Sequence, residues 1–300
     1  MNVRVAVIIP SYDNVRDTIA ACEAVVSVGD SSVMVIAVDD GSPGDVPAKL
    51  AEGLCHLPGV CLKACEVNSG FAAACNAGVV TAQEKCSAEF YLFLNNDASL
   101  ASGAIAALLQ PFALPNVGLV GPKIYLGSGP RLNSVGGYFD NATLQKREEG
   151  CNVTDVGQFD SQRDVEFLMG SAFMIRASLY HELGGMDESY FMYSEEADIC
   201  LRALRRGFRI VYNPAAVVFH HHGRTMGVHS NRALYYSVRN KIHFVCKRGR
   251  SRQVFATLFM LHATTWRELA GTFAKRLLVF QLGVLDGLRG RMGRRVSRLF

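Results

Sequence analysis

The chain has 300 residues, 49% of them hydrophobic, a net charge of +4 and nine cysteines. This is enough apolar material for a sizeable core, near the upper limit of one domain, so one domain with an appendage is expected. The cysteines form no C-x-x-C pair, which excludes a zinc ribbon or a disulfide framework and fits reduced thiols in a cytoplasm.

Residues 3–9 form an apolar run closed by Pro10-Ser11 and read as a buried strand. This start lacks the charged, apolar and small-residue regions of a signal peptide, so export by that route is not expected. Residues 17–28 have helical spacing, residues 33–38 read as a second strand, and residues 39–44 as a turn. A weaker strand at residues 60–64 leads to NSGFAAACNAG at 68–78, whose second half reads as helix, and residues 90–94 form a further strand ended by Asn95-Asn96-Asp97. Beyond Pro111 the pattern loosens into glycine-rich and polar loops through Gly157 that would fold over the sheet's rim. Residues 165–176 read as a strand pair broken by Gly170-Ser171. A helix ending near Gly207 follows, then two strands at 209–212 and 216–219 that flank Asn213-Pro214.

Alternating strands and helices argue for an α/β fold with a parallel sheet and helices on both faces. In such sheets ligands bind beyond the carboxyl ends of the strands. Those ends are Ser11-Tyr12-Asp13, Asp39-Asp40-Gly41 and Asn95-Asn96-Asp97, so polar and acidic groups gather on one rim. Neither G-x-G-x-x-G after the first strand nor a P-loop is present, so the usual phosphate cradles are missing.

The segment MDESYFMYSEEAD at 186–198 places Glu195, Glu196 and Asp198 within four residues. With Ser194 as N-cap, both glutamates fall in the first helical turn, where the helix dipole favours an ionised carboxylate able to act as a general base. Plain first-turn capping explains the same pattern equally well. Asp97 closes a strand, as turn-forming acids often do, but it also suits a divalent ion whose other ligands are substrate phosphates. His220, ending the last strand, is the best second ligand. The His220-His221-His222 run alone makes a poor structural site, because neighbours on an extended chain face opposite ways. Asp39 and Asp40 can accept from a pyrimidine N–H and ribose hydroxyls, or simply cap their turn. Gly70 and Gly78 flank small residues that let backbone approach a phosphate or another helix closely.

Taken in order, VIIPSYDN (7–14), VDDGS (38–42), NSGFAAACNAG (68–78), FLNND (93–97) and FLMGSAFMIR (167–176) carry a resemblance, continued by GGMDESYFMYSEEADICLRALRRGFRIVYNP (184–214), VVFHHHG (217–223) and YYSVRNKIHF (235–244). Over roughly residues 3–246 the chain resembles inverting glycosyltransferases of family 2, in their rhamnosyltransferase-like branch. The resemblance implies a GT-A type, Rossmann-like sheet flanked by helices, a nucleotide-diphosphate sugar donor of the dTDP or UDP kind, and Mg²⁺ or Mn²⁺ on the diphosphate. By that likeness the nucleotide-binding residues are Pro10, Tyr12, Asp13, Asp39, Asp40, Asn68, Gly70, Asn76 and Asn96, with Asp13 and Asp39 at the base and Asp40 at the ribose. Asp97 and His220 would ligate the metal, and Gly170, Ser171 and Glu195 would meet the acceptor. Glu196 matches the catalytic base, with Asp198 orienting it or the acceptor. Two departures stand out: Asn95 replaces the first acid of the D-x-D motif, and Glu rather than Asp stands at 196.

In-line displacement at an anomeric carbon needs a base for the acceptor hydroxyl and a cation for the departing diphosphate. Glu196 and the Asp97/His220 pair would supply these halves, which predicts inversion in one step. A double displacement needs a nucleophilic carboxylate on the opposite side, and no clear candidate is present.

The expected organisation is a catalytic domain at 1–246, with a nucleotide half at 1–110 and an acceptor half at 111–246, followed by a basic amphipathic helical tail at 247–300. Of the 31 basic and 27 acidic residues, 12 and 2 lie from Lys247 onward, so the tail carries +10 and the body −6. Its apolar runs are shorter than the roughly 18–20 residues that span a bilayer. Helices lying on an anionic inner leaflet fit, with Trp266 and Phe280 inserted and Arg289, Arg291, Arg294 and Arg295 at headgroups. Packing of the tail on the catalytic domain or on a second subunit of a homo-oligomer fits as well. Nucleic-acid binding is not expected, since aromatics are not interleaved with the basic residues.

The leading reading is a cytoplasmic enzyme, peripheral on the inner membrane face, moving a sugar such as rhamnose to a surface glycan or lipid-linked acceptor. The alternative is an inactive nucleotide-sugar-binding scaffold subunit of a glycan-assembly complex. A nucleotidyltransferase would want a glycine-rich, basic loop after the first strand, which SYDNVRD does not resemble.

Overall fold

The computed structural model describes residues 3–28, 31–221, 230–269 and 274–295, with the side chains of 262–275 outside that description. In chain order the elements are β1 (Val5–Ser11), α1 (Val15–Val26), β2 (Val33–Asp39), α2 (Val46–Leu54), β3 (Val60–Ala64), α3 (Phe71–Lys85), β4 (Phe90–Leu94), β5 (Ala98–Leu100) and α4 (Ala104–Leu109). There follow β6 (Val117–Leu126), β7 (Leu132–Ser134), β8 (Gly137–Phe139), β9 (Lys146–Glu148), β10 (Arg163–Val165), β11 (Ala172–Arg176), α5 (Ala177–Glu182), α6 (Glu195–Arg205) and β12 (Arg209–His220). The chain continues with α7 (Asn231–Arg248), α8 (Ser251–Leu269) and α9 (Ala274–Leu288).

The main sheet runs β10-β12-β6-β11-β4-β1-β2-β3, with β5 on β12 and β7 on β6. Neighbours from β4 to β3 are parallel, as are β12 and β6, whereas β11 lies antiparallel between β4 and β6. The α/β sandwich with a helical extension is therefore as expected, but the sheet is mixed at its centre. Alternation along β1 explains the two-faced burial: Ala6 and Ile8 join one core with α3, α5 and α6, and Val5, Val7 and Ile9 join the other with α1, α2 and α4.

Several local expectations need correction. The stretch read as loops after Pro111 contains β6, a central strand of ten residues. Its Gly118, Gly121 and Pro122 hide the strand pattern. A side chain at Gly118 would meet Leu179 Cδ2 at 2.5 Å, and one at Gly121 would meet Leu168 Cδ2 at 2.2 Å. Gly78 does not flank α3 but sits inside it, where a Cβ would fall 2.5 Å from Ile8 Cγ2, so close helix–sheet packing is its role. The two strands flanking Asn213-Pro214 are one strand, β12, with a register shift between Asn213 and Val217 that accommodates the proline. β10 and β11 do not pair with each other. α2 lies between the turn at 39–44 and the strand at 60–64, where no element was expected.

The C-terminal helices pack back onto the body. α7 lies along α9, with Gly283 and Gly287 one turn apart on the facing side. A Cβ at Gly287 would sit 2.6 Å from the Arg239 carbonyl oxygen. Val238, Ile242, Leu261 and Phe280 form their shared core. Phe280 is thus 4% exposed and helix-packed, not a membrane anchor. The side chain of Trp266, the other expected anchor, lies outside the described residues. The expected boundary at 246 falls in the last turn of α7.

Candidate functional site

Strand directions place the site. β6 and β12 run with β4 and β1 while β11 runs against them. The carboxyl ends of β1, β2, β4 and β12 therefore share one rim with the start of β11. Ser11, Asp39, Asn95, Asn96, Asp97, Ser171 and His220 all come to it, stitched by Asn95 N–H to the Ser171 carbonyl at 2.9 Å. Among the described residues six buried side-chain atoms lack a partner, and Asp39 Oδ1, Asn68 Oδ1, Ser171 Oγ and Glu195 Oε2 are four of them. Polar atoms buried without partners are costly, so their concentration at this rim marks a surface that a polar ligand completes.

On the nucleotide side, Asp39 accepts from the Ser42 N–H at 3.2 Å through Oδ2. Asp13, exposed and left-handed at φ 53, donates its N–H to Ser42 Oγ at 2.7 Å, tying the turns after β1 and β2 together beside half-buried Tyr12. Asp40 accepts from the N–H groups of Ser69 at 2.9 Å and Gly70 at 2.8 Å, so it clasps the 68–70 loop where a ribose contact was expected. Burial pushes its carboxyl up to about 6, against the pull of those two amides.

Four of the residues expected at the nucleotide make contacts within the protein itself. Pro10 is buried within β1 opposite Val38. Gly70 has φ 96 and abuts Phe191, whose carbonyl oxygen a Cβ would meet at 2.0 Å. Asn96 turns its amide nitrogen inward to Thr18 Oγ1 at 3.1 Å and Ser11 Oγ at 3.3 Å. Asn76 spans α3 and the 186–188 segment: its Nδ2 donates to Glu188 Oε1 at 2.8 Å and to the Met186 carbonyl at 3.0 Å, and its Oδ1 accepts from the Met186 N–H at 3.0 Å.

Asp97 and His220, 123 positions apart in sequence, meet because β5 pairs with the end of β12, Ala98 opposite His220. His220 Nε2 lies 3.1 Å from Asp97 Oδ1, and both side chains are below 10% exposed. His220 Nδ1 faces Asn133 Oδ1 at 2.8 Å, and Asn95 Nδ2 lies 3.3 Å from Nε2. An oxygen acceptor at Nδ1 puts the ring proton there and turns the Nε2 lone pair toward Asp97. One carboxylate oxygen and one imidazole nitrogen side by side fit Mg²⁺ or Mn²⁺ when phosphate oxygens supply the rest. No group of three His, Cys, Asp or Glu able to hold an ion occurs among the described residues. His222 lies outside them.

The carboxylate helix α6 begins as expected, but not through a Ser194 side-chain cap. Tyr193 and Ser194 are both left-handed, at φ 70 and 77, and Ser194 makes no capping bond. Asn240 on α7 holds this strained turn, donating to the carbonyls of Met192 at 2.6 Å and Tyr193 at 2.8 Å. Glu196, 5% exposed, receives Lys146 Nζ at 2.7 Å. It borders Gly170, where a Cβ would stand 3.4 Å from Glu196 Cβ. Glu195, also 5% exposed, is pushed up to about 8 by burial and then by the charge of Glu196.

Asp198, expected to orient the base or the acceptor, is fully buried, its oxygens bound to Arg202 Nε and Arg248 Nε at 2.6 Å each, and so anchors α6. Lys146, Asn133 and Arg248 were missed, since each reaches the site from a distant segment and belongs to no spacing pattern, and Asn240 was read only as part of the 235–244 motif.

A mixed α/β sheet whose rim gathers acids, an acid–imidazole pair and a carboxylate helix has the architecture of the GT-A fold. The family profile described as "Glycosyltransferase like family 2" matches residues 2–235, and the chain belongs to that family. It is a glycosyltransferase. The N-acetylglucosaminyl-diphospho-decaprenol L-rhamnosyltransferase of Mycobacterium tuberculosis is 28% identical over 213 residues, 65% of this chain and 68% of that one. The low-salt glycan biosynthesis hexosyltransferase Agl10 of Haloferax volcanii is 25% identical over 236 residues, covering 76% and 75%. Among solved structures, the mannosyltransferase PcManGT from Pyrobaculum calidifontis in complex with GDP-Man and Mn²⁺ superposes with a TM-score of 0.59 at 16% identity, over 96% of this chain and 75% of that one, a likeness of fold.

Proposed function

We propose that this enzyme transfers a deoxyhexose such as rhamnose, with inversion, from a dTDP- or UDP-linked donor to a glycan or lipid-linked acceptor. The observation that carries this reading is Glu196: a buried carboxylate in the first turn of α6, beside Gly170 and the polar entry to β11. Asp39, Asn68 and Asp13 would contact the nucleoside. Ser171, Gly170 and Glu195 would frame the acceptor, with Glu195, protonated at neutral pH, donating a hydrogen bond to a sugar oxygen. Glu196 takes the acceptor hydroxyl proton as the oxygen attacks the anomeric carbon, and a single displacement from the face opposite the diphosphate inverts the centre. Asp97 and His220 would hold a divalent cation, which when bound supplies positive charge to the leaving diphosphate. The rhamnosyltransferase relative supports the sugar and acceptor class, and the nucleotide-sugar and Mn²⁺ ligands of the mannosyltransferase support the donor and metal.

The tail extends the reading to the membrane. Phe255 and Phe259, one turn apart on α8, are 72% and 77% exposed, and Leu277, Leu278, Leu285 and Leu288 are exposed on α9. With exposed Arg252, Arg289 and Arg291 and a tail charge of +10, these faces suit an anionic bilayer surface near a lipid-linked acceptor. No helix among the described residues is long and apolar enough to cross a membrane.

The test is a transfer assay pairing dTDP-rhamnose and a panel of UDP- and GDP-sugars with a prenyl-diphosphate-linked sugar, with Mn²⁺ or with chelator. Metal-dependent, inverted product from a dTDP- or UDP-deoxyhexose supports the reading. Donor binding with neither transfer nor hydrolysis under any condition would establish the inactive-scaffold alternative.

A further inference from the structure

We propose that Lys146 is the positioning residue of this active site: it holds Glu196 aimed and ionised, and acts on the reaction only through that carboxylate. The inference rests on Glu196 being the base. Lys146 opens β9, in a hairpin fifty residues before Glu196, and its ammonium lies 2.7 Å from Glu196 Oε1 and 3.1 Å from Glu148 Oε1. The same nitrogen stands 4.7 Å from the centroid of the Phe167 ring, so an aromatic face and two carboxylates fix it from different sides.

The hairpin is itself held in place. A Cβ at Gly137 of β8 would meet the Arg147 carbonyl oxygen at 2.0 Å, so the two strands lie in close backbone contact. Thr257 on α8 donates to the Thr143 carbonyl at 2.8 Å, Gln253 on α8 to the Asn141 carbonyl at 3.2 Å, and Gln145 to the Lys241 carbonyl on α7 at 3.4 Å. The C-terminal helices thus brace the strand that carries Lys146, while Arg248 and Asn240 on α7 brace the helix and turn that carry Glu196. The two members of the pair are registered against each other by one structural unit.

Among the described residues, Lys146 from the hairpin, Glu195 and Cys200 from α6, and Tyr193 from the turn before it face Glu196. Lys146 is the cation of this set, and it opposes Glu195, a second acid in the same buried space. Without the lysine, desolvation and the neighbouring acid would both favour a proton on Glu196, leaving no base for the acceptor hydroxyl. Lys146 therefore places its positive charge beside the one carboxylate that must be free of a proton to act as base.

The test is the pH dependence of kcat/KM for the full chain with donor and acceptor, comparing wild type, Lys146→Met, Lys146→Gln and Lys146→Arg. A base must be ionised, so the rate falls as pH drops through its titration. Removing the cation should move that acid limb upward by about 1–3 pH units, a loss of roughly tenfold or more at neutral pH that recovers as pH is raised. Lys146→Arg should keep the wild-type limb. A neutral variant with the wild-type limb, whether its rate is lowered equally at all pH values or unchanged, overturns the proposal. Glu196→Gln in the same assay separates the two claims. Turnover there would remove the base reading itself, whereas an inactive Glu196→Gln beside an unshifted Lys146→Met would remove only the role of Lys146.

Discussion

Arg248, the last residue of α7, donates from Nε to Asp198 Oδ1 at 2.6 Å and so bolts the C-terminal helices to the helix that presents Glu196. Asp198 also takes Arg202, which in turn donates to the Leu183 carbonyl at 2.7 Å and the Gly185 carbonyl at 2.8 Å. One buried acid joins α6, α7 and the loop before the active-site turn. Asp198→Asn takes the buried counter-charge from Arg202 and leaves Arg248 only Asp187, 3.6 Å from its Nη2, so a loss of about 3–5 kcal/mol in unfolding free energy is expected. Denaturant titration measures it. Wild-type stability with abolished turnover would instead return Asp198 to a direct role in the chemistry.

The Asp97–His220 pair predicts donor binding that depends on metal. His220→Ala should weaken nucleotide-sugar affinity in Mn²⁺ and leave the much weaker affinity in chelator unchanged. Asn133→Ala, which removes the acceptor that sets the imidazole tautomer, should lower metal affinity by about 10–100-fold. Calorimetric titration with and without Mn²⁺ reads both. Equal donor affinity in the two media for the wild type would count against the metal assignment.

Glu195 predicts a pH dependence of stability. Its carboxyl is raised from 4.5 to about 8 by burial and by Glu196, so the folded protein keeps a proton that the unfolded chain releases. The stabilisation from this group is complete below the unfolded value and is lost as pH rises toward 8. Asp40, raised to about 6, acts in the same direction over the lower part of that range. Melting temperature should therefore fall between pH 5 and 8, and Glu195→Gln should flatten the decline. Parallel curves for the two proteins would contradict this.

Much of the architecture was legible because burial leaves periodic marks. Short apolar runs ended by Pro10-Ser11, Asp39-Asp40 and Asn95-Asn96-Asp97 read as strands, and the Glu195–Arg205 helix showed its acids and its apolar face. β6 was invisible because Gly118 and Gly121 serve close packing and so erase the hydrophobic signal of a buried strand. At the site, the motif acids were easy to find but their roles were not. Asp198 and Glu196 stand two residues apart, yet one faces arginines and the other the site's lysine, a difference set by segments 50 residues away on either side. Likewise Asn240, read only as part of a motif, proves to be the clamp on a left-handed turn.

The exposed Phe255 and Phe259 predict membrane attachment that can be removed without touching the catalytic body. Phe255→Ser with Phe259→Ser should cut partitioning onto anionic phosphatidylglycerol vesicles by about a hundredfold or more, by the loss of about 1.5–3 kcal/mol per buried aromatic ring. Turnover of a soluble acceptor should persist. Unchanged flotation, or a change of oligomeric state in its place, would assign these faces to a protein partner.

The central claim is that Glu196 removes the acceptor proton, and the most direct measurement compares transfer and donor binding in Glu196→Gln. The substitution keeps the side chain's size and removes its basicity. Transfer should fall by about 10²–10⁴-fold, the usual contribution of a positioned base, while donor affinity in Mn²⁺ stays within a few-fold of wild type. Transfer at the wild-type rate, or a loss explained wholly by weakened donor binding, would contradict the account.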